Sequence, residues 1–248
     1  MDERDAFLAA LLKRKAEDPT ACRAWRVRDL VAHLTAGARE EADLIQDALA
    51  GRASRPTREF TERERAYRTL EYTALLSALA QQGQRLQEAI AALDRAGAQV
   101  NFTGAVLDAA GFRTHTRSEL SLHRWDLAGD DETGHRLLEQ PDLTAHAVKV
   151  LSTMHTLQES FRSRAARVAA APDGSAFVLR SPDRPDVLVR LRPDATASIL
   201  PTPTSDHPVV ACTAADRLLL LWGRASERAD LSDVTTAQAG PITAFLQV

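Results

Sequence analysis

The stretch "WRVRDLVAHLTAGAREEADLIQDALAG", Trp25 to Gly51, sets the class of fold. Its apolar residues fall at Val27, Leu30, Val31, Leu34, Ile45, Ala48 and Leu49, a stripe of helical period. Gly51 stands where a C-terminal cap belongs. The same pattern continues on both sides. "RDAFLAALLKRKAE" carries Phe7, Leu8, Leu11 and Leu12 on one stripe. After a turn containing Pro56, the run Thr61 to Ala96 reads as one long helix, with Leu70, Leu75, Leu76, Leu79, Leu86, Ile90 and Leu93. A break at "GAQVNFTGAVLDAAGF" leads into a helix holding "RSELSLHRWDL", Arg117 to Leu127. A further helix, "DLTAHAVKVLSTMHTLQESF", follows Pro141. Long helices with short links predict an antiparallel bundle, whose core is a natural place for inward-pointing ligands.

The pattern changes after about residue 160. Turn signals at Pro172-Asp173-Gly174 and Pro182-Asp183 separate short β-type runs, Ala176 to Arg180, Val187 to Leu191 and Ser198 to Leu200. "VVACTAADRLLLLWGRAS" reads as a strand entering a helix, with Thr213 as its N-cap. The expected architecture is therefore α+β in two domains, a helical domain over 1–159 and a small α+β domain over 160–248.

Composition excludes several classes. The net charge of −3 leaves no electrostatic footprint for nucleic acid. The longest strongly apolar run, Leu218 to Trp222, is far too short to span a bilayer, and no basic helix suits a membrane surface. The charged opening "MDERDAF" is not a secretory signal. Two cysteines, Cys22 and Cys212, make no disulfide framework, so a reducing cytoplasm is expected and the sequon at Asn101 is read as a chance match. Only three of the 31 basic residues are lysine, and alanine is abundant, a bias that points to a GC-rich bacterial source. Nothing in the pattern sets an oligomeric state.

The chemistry concentrates in one place. Glu119 lies four residues before His123, and Asp126 three residues after it, so all three share one helix face. Glu-x-x-x-His is the spacing with which two groups of one helix reach the same ion, and also that of an ordinary solvated pair. His33 lies one position from the apolar stripe of its helix, where an imidazole needs partners for both nitrogens. Two histidines and one carboxylate with a vacant fourth position make a catalytic-type zinc site. Asp126 would orient a ligand or cap a helix end. The other five histidines, His115, His135, His146, His155 and His207, read as structural, as do both cysteines and Trp25, Trp125 and Trp222.

Three segments carry a family resemblance. "CRAWRVRDLVAHLTAG", Cys22 to Gly37, resembles the N-terminal signature of the mycothiol-dependent maleylpyruvate isomerase family, Trp-x-Val-Arg-Asp-Leu-Val-x-His-Leu. "RSELSLHRWDL" resembles its second signature, and "RLLLLWGR", Arg217 to Arg224, resembles a Leu-rich segment of its C-terminal domain. The three occur in the family's order. The resemblance implies a DinB-like four-helix bundle followed by a small sterol-carrier-like α/β domain. It implies a divalent metal, usually zinc, on His33, Glu119 and His123, and mycothiol, the thiol of actinobacteria, as co-substrate. It also implies an essential C-terminal arginine, for which Arg224 is the first candidate and Arg217 the reserve.

These parts make one expected mechanism. A cation-bound thiolate attacks an electrophilic carbon. Rotation and thiol expulsion give cis–trans isomerisation; release of the adduct or of a leaving group gives S-transfer. An arginine would bind a substrate carboxylate, and Asp126 would touch the thiol cofactor or support His123. The competing readings are a metal-dependent hydrolase and a non-catalytic relative that binds a small molecule or a protein.

Overall fold

The computed structural model describes residues 1–22, 25–153, 176–182, 184–191, 197–203 and 206–224. The described elements are α1 (Glu3–Leu11), α2 (Val27–Leu49), α3 (Phe60–Arg68), α4 (Tyr72–Ala96), β1 (Val100–Phe102), β2 (Ala105–Leu107), α5 (Ala109–Ala128), α6 (Glu132–Leu138), α7 (Pro141–Leu151), β3 (Ala176–Arg180), β4 (Asp186–Leu191), β5 (Ala197–Thr202), β6 (Val209–Ala211) and α8 (Ala214–Leu221). The fold is mixed α+β, helical in its N-terminal part with a small sheet in its C-terminal part, as the sequence predicts.

The chain divides into two compact units, Met1–Gly134 and His135–Val248. This division falls well before the 159/160 boundary read from the sequence. The reason is α7, which packs on α8 and β5 and so belongs with the sheet despite its helical sequence. The last part of the helix expected to run to Phe161, the turn at Pro172-Asp173-Gly174, and His155 lie outside the described residues.

In the first unit α2 packs along α4 and α3, α1 lies along α5, and α4 also meets α5. Phe7, Leu11, Val27, Leu30, Val31, Leu75 and Leu127 meet in one buried cluster. Helix α2 ends at Leu49, and Gly51 takes the left-handed backbone conformation just beyond it, φ +67°. The expected long helix from Thr61 is in fact two helices. Thr69 terminates α3, its hydroxyl donating to the Ala66 carbonyl, and Glu71 restarts the chain in extended backbone. The break frees α3 to lie on α2. The segment after Gly97, expected as an irregular break, forms the hairpin β1–β2, closed by the Gly104 amide donating to Asn101.

The connection from α2 to α3 is anchored on the buried Glu40, with Asp43 and Asp47 pairing with the same arginines. Glu40 is 0% exposed and accepts from the Arg55 and Arg58 side chains and from the Arg58 amide. Burial opposes its ionisation, but these donors outweigh burial and hold its pKa at about 2, below the ordinary 4.5. The folded-state value is depressed, so this stability is present above pH 4.5 and is lost as pH falls towards 2. Glu40→Gln should cost about 2–3 kcal/mol at pH 7. Urea melts at pH 7 and pH 3 should show that difference shrinking at the lower pH.

The second unit carries a four-stranded sheet of order β5-β4-β3-β6, antiparallel except for the parallel β3–β6 pair. Its strands fall where alternation and turn signals put them. Thr213 caps α8 by accepting from the Asp216 amide at 3.1 Å. Among the described residues no helix is long and apolar enough to cross a membrane.

Candidate metal centre

Helices α2 and α5 bring His33, Glu119 and His123 together. His33 is 7% and His123 4% exposed. Glu119 Oε2 lies 3.6 Å from His33 Nε2 and 3.5 Å from His123 Nε2. One donor atom from each of the three residues lies within 4.8 Å of the others. The two imidazoles meet edge to face, their centroids 5.3 Å apart.

Each histidine is fixed from behind. His123 Nδ1 is 2.8 Å from Asp126 Oδ2, and His33 Nδ1 is 2.8 Å from Glu64 Oε1. A carboxylate only accepts, so both Nδ1 atoms donate and both rings turn Nε2 towards Glu119. Behind Glu64 the chain of contacts continues. Arg68 donates to Glu64 at 2.7 Å and to Asp29 at 3.0 Å, and Asp29 accepts the Arg26 amide at the start of α2. Trp25 covers the pair, with its ring centroid 4.7 Å from that of His33 and 5.9 Å from that of His123.

Electrostatics follow from this arrangement. Burial disfavours charge on Glu119, yet hydrogen bonding to His123 and His33 and the nearby imidazoles hold its pKa well below the ordinary value. Burial opposes protonation of His123, but Asp126 and Glu119 outweigh it and raise its pKa. Glu64 is likewise lowered: burial opposes ionisation, and His33 and Arg68 prevail.

The donor set fits a divalent cation. Tetrahedral zinc with bonds of 2.0–2.1 Å places its ligand atoms about 3.4 Å apart. The observed carboxylate-to-imidazole separations of 3.5 and 3.6 Å are close to that edge. Two imidazoles and one carboxylate are borderline-soft ligands of the kind zinc takes in open sites.

Beside this centre the first unit holds a cavity of about 900 Å³, with His33, Glu119, Glu41, Arg63 and His115 among its lining residues. Glu41 is 5% exposed and its Oε2 has no hydrogen-bond partner. Burial, and then the charge of Glu119, push its pKa up to about 8. His115 stands on the Phe102 ring, centroids 5.0 Å apart, with Nε2 3.7 Å from Glu41. Burial lowers its pKa.

The remaining predicted residues are placed as follows. Asp126 is 1% exposed and stands behind His123, its Oδ2 2.8 Å from Nδ1, the position of a group that orients the ring. Arg217 is 2% exposed and donates to the Pro185 carbonyl at 2.8 Å, a bond that holds its own unit together. Arg224, partly buried after α8, donates to the Trp222 carbonyl at 3.3 Å. Both arginines belong to the second unit. Burial pushes the Cys212 thiol up to about 12, which suits a structural cysteine.

Sequence reasoning missed Glu64, Glu41 and Arg63, while Trp25, expected to pack, does pack, against the core cluster and the two imidazoles. Glu41 left a signal: it lies eight residues after His33, two turns along the same face of α2. Glu64 and Arg63 left none, because "TERER" alternates charges and nothing in it says which side faces inward.

Comparison with known proteins agrees with the geometry. The family described as the mycothiol maleylpyruvate isomerase N-terminal domain matches residues 1–128, a span that contains His33, Glu119, His123 and Asp126. No curated protein matches the chain at a significant level. Two crystal structures, of the mycothiol-dependent maleylpyruvate isomerase and of a histidine-to-alanine mutant of it, share the fold. Each is 18% identical with a TM-score of 0.61, over 94% of this chain and 90% of that one. The matched family model, spanning more than half of the sequence and the whole of the histidine–carboxylate cluster, shows that the chain belongs to the mycothiol maleylpyruvate isomerase N-terminal domain family.

Proposed function

We propose that the chain is a mycothiol-dependent enzyme of the actinobacterial cytoplasm, in which His33, Glu119 and His123 hold a divalent cation, most suitably zinc. Its reaction is thiol addition to an electrophilic carbon, completed either as cis–trans isomerisation of a maleylpyruvate-like acid or as S-transfer. The observation that carries this reading is the pair of carboxylate-backed histidines converging on Glu119 beside a cavity. When bound, the cation supplies acidification of a thiol whose ordinary pKa lies near 8.5.

The chain's own residues do the rest. Glu64 and Asp126 keep a proton on each Nδ1 and so fix both ring orientations. Trp25 shields the rings from water. Glu41, uncharged below about pH 8, offers a hydrogen-bond donor at the cavity wall. Arg224 is the proposed carboxylate-binding residue of the C-terminal part. The proposed metal-binding part is the helical region read from the sequence as 1–159.

Calorimetric titration of the zinc-loaded protein with mycothiol tests the reading. Mycothiol should bind with release of about one proton per thiol at pH 7, and S-methyl mycothiol at least ~10-fold more weakly. Equal binding of the two, or none by either, would reject thiol activation and favour a hydrolase or a non-catalytic relative.

A further inference from the structure

The cavity beside the metal centre has a pronounced asymmetry. Most of its wall is apolar, with Phe7 and Leu11 of α1, Leu34 of α2, and Leu79, Leu86 and Ile90 of α4. Small residues on the same wall, Ala38, Ala80 and Gly83, leave it wide. A Cβ added at Gly83 would meet nothing within 4 Å. An apolar wall solvates a second carboxylate poorly.

The charged lining residues are distributed unevenly. Arg14, Arg113 and Arg117 already pair with Asp18, Asp94 and Glu3, and Arg4 is exposed to water. Arg63 differs. Its guanidinium lies over the Phe60 ring, 4.5 Å from the centroid, and it forms no hydrogen bond or ion pair among the described residues. Its Nε is buried without an acceptor. Burial lowers its pKa, and the charges of Glu41, Glu64 and Glu119 resist that shift without any of them bonding to it. A half-buried guanidinium with no bonded anion and a buried, unpartnered Nε is a ready receiver for a ligand carboxylate.

We propose that this cavity binds an amphipathic monocarboxylate, its carboxylate on Arg63 and its apolar body along the trough between α1, α2 and α4. Glu41, with an unpartnered oxygen on the same wall, adds a second polar contact for the head group. That this ligand is the electrophile attacked by the thiol rests on the proposed function; that it binds does not. Of the two reactions proposed above, such a ligand selects S-transfer to a long-chain or aromatic acid over isomerisation of a small dicarboxylic acid.

The test uses decanoate, decan-1-ol and maleate as probes, titrated calorimetrically into the zinc-loaded full chain. Decanoate should bind at least ~10-fold more tightly than either of the others. Arg63→Met should remove ~10-fold of decanoate affinity and leave decan-1-ol within about twofold. Gly83→Leu starts from a Cβ position with open space around it and improves helix propensity; its side chain should narrow the trough and weaken both ligands ~10-fold. Maleate binding as tightly as decanoate, or decanoate indifferent to both substitutions, overturns the proposal. Decanoate held by zinc alone would show as Arg63→Met without effect, which also overturns it. The comparison of decanoate with decan-1-ol needs no variant, so the charge is tested even if Arg63→Met is unstable. Failure of mycothiol to bind while decanoate still binds would sink the thiol reading and leave this one standing.

Discussion

Alanine at His33 or at His123 should strip the purified protein of stoichiometric zinc, weakening metal affinity by more than ~1,000-fold. Each replacement removes one of three converging donors and leaves only an imidazole and a carboxylate, too few for a protein zinc site. Both positions are buried, so water has little room to substitute. The informative companion is Glu64→Gln, which leaves all three donors in place. It removes the acceptor that keeps the His33 proton on Nδ1, and a glutamine oriented with its NH₂ towards the ring would demand the opposite tautomer. Affinity should fall 10- to 100-fold, in the range found for partners that orient a ligand. Arg68→Ala, one contact further out, should do less, because Glu64 keeps its bond to His33. Competition with a chromophoric chelator measures all four variants on one scale. Stoichiometric zinc retained by both histidine variants would remove the assignment, and an unaltered Glu64→Gln would show that the tautomer is set elsewhere.

The order of these effects mirrors what could be read from the sequence. His33, Glu119 and His123 were legible because the signal was local: helical spacing joined Glu119 to His123, and an imidazole beside an apolar stripe marked His33. The strands of the second unit were legible for a similar reason, since β-type runs are short and self-contained in the sequence and Thr213 caps α8 locally. Glu64 was not legible, because its meaning depends on α3 folding back onto α2. That packing required a helix break at Thr69, whose side chain bends to Ala66 in a way that leucine periodicity across the segment conceals. The division into compact units departs from the boundary read in the sequence for an allied reason. An amphipathic pattern says that α7 buries one face, not which partner covers it, and β5 and α8 do. The large cavity was equally silent, since Ala80 and Gly83 look like ordinary members of a helix until the opposite wall is known.

Zinc should raise the melting temperature of the full chain more at pH 8 than at pH 6. In the metal-free protein two buried groups make stability fall over this interval. Burial and the Glu119 charge raise Glu41 to about 8 from an ordinary 4.5, so the folded state keeps a proton that the unfolded chain has already lost. Stability therefore declines as pH rises through that window. His123 is raised by Asp126 and Glu119 despite burial, so its contribution is complete below the unfolded value of 6.5 and is lost as pH climbs through the folded one. A cation acts in the opposite sense. It displaces the proton from His123, offsets the negative charge that troubles Glu41, and binds more tightly as fewer protons compete. Free zinc buffered at a hundred times its dissociation constant adds about 2.7 kcal/mol, which for a chain of this length is about 5–10 °C. Lowering the pH to 6 at the same free zinc should remove much of that gain. Glu41→Gln separates the two causes: it should flatten the pH dependence of the metal-free melts and leave the proton competition at His123 intact. Scanning calorimetry at both pH values, with and without zinc, measures the four increments. An increment independent of pH would mean that no buried proton is exchanged for the cation, and the centre would have to be built from other residues.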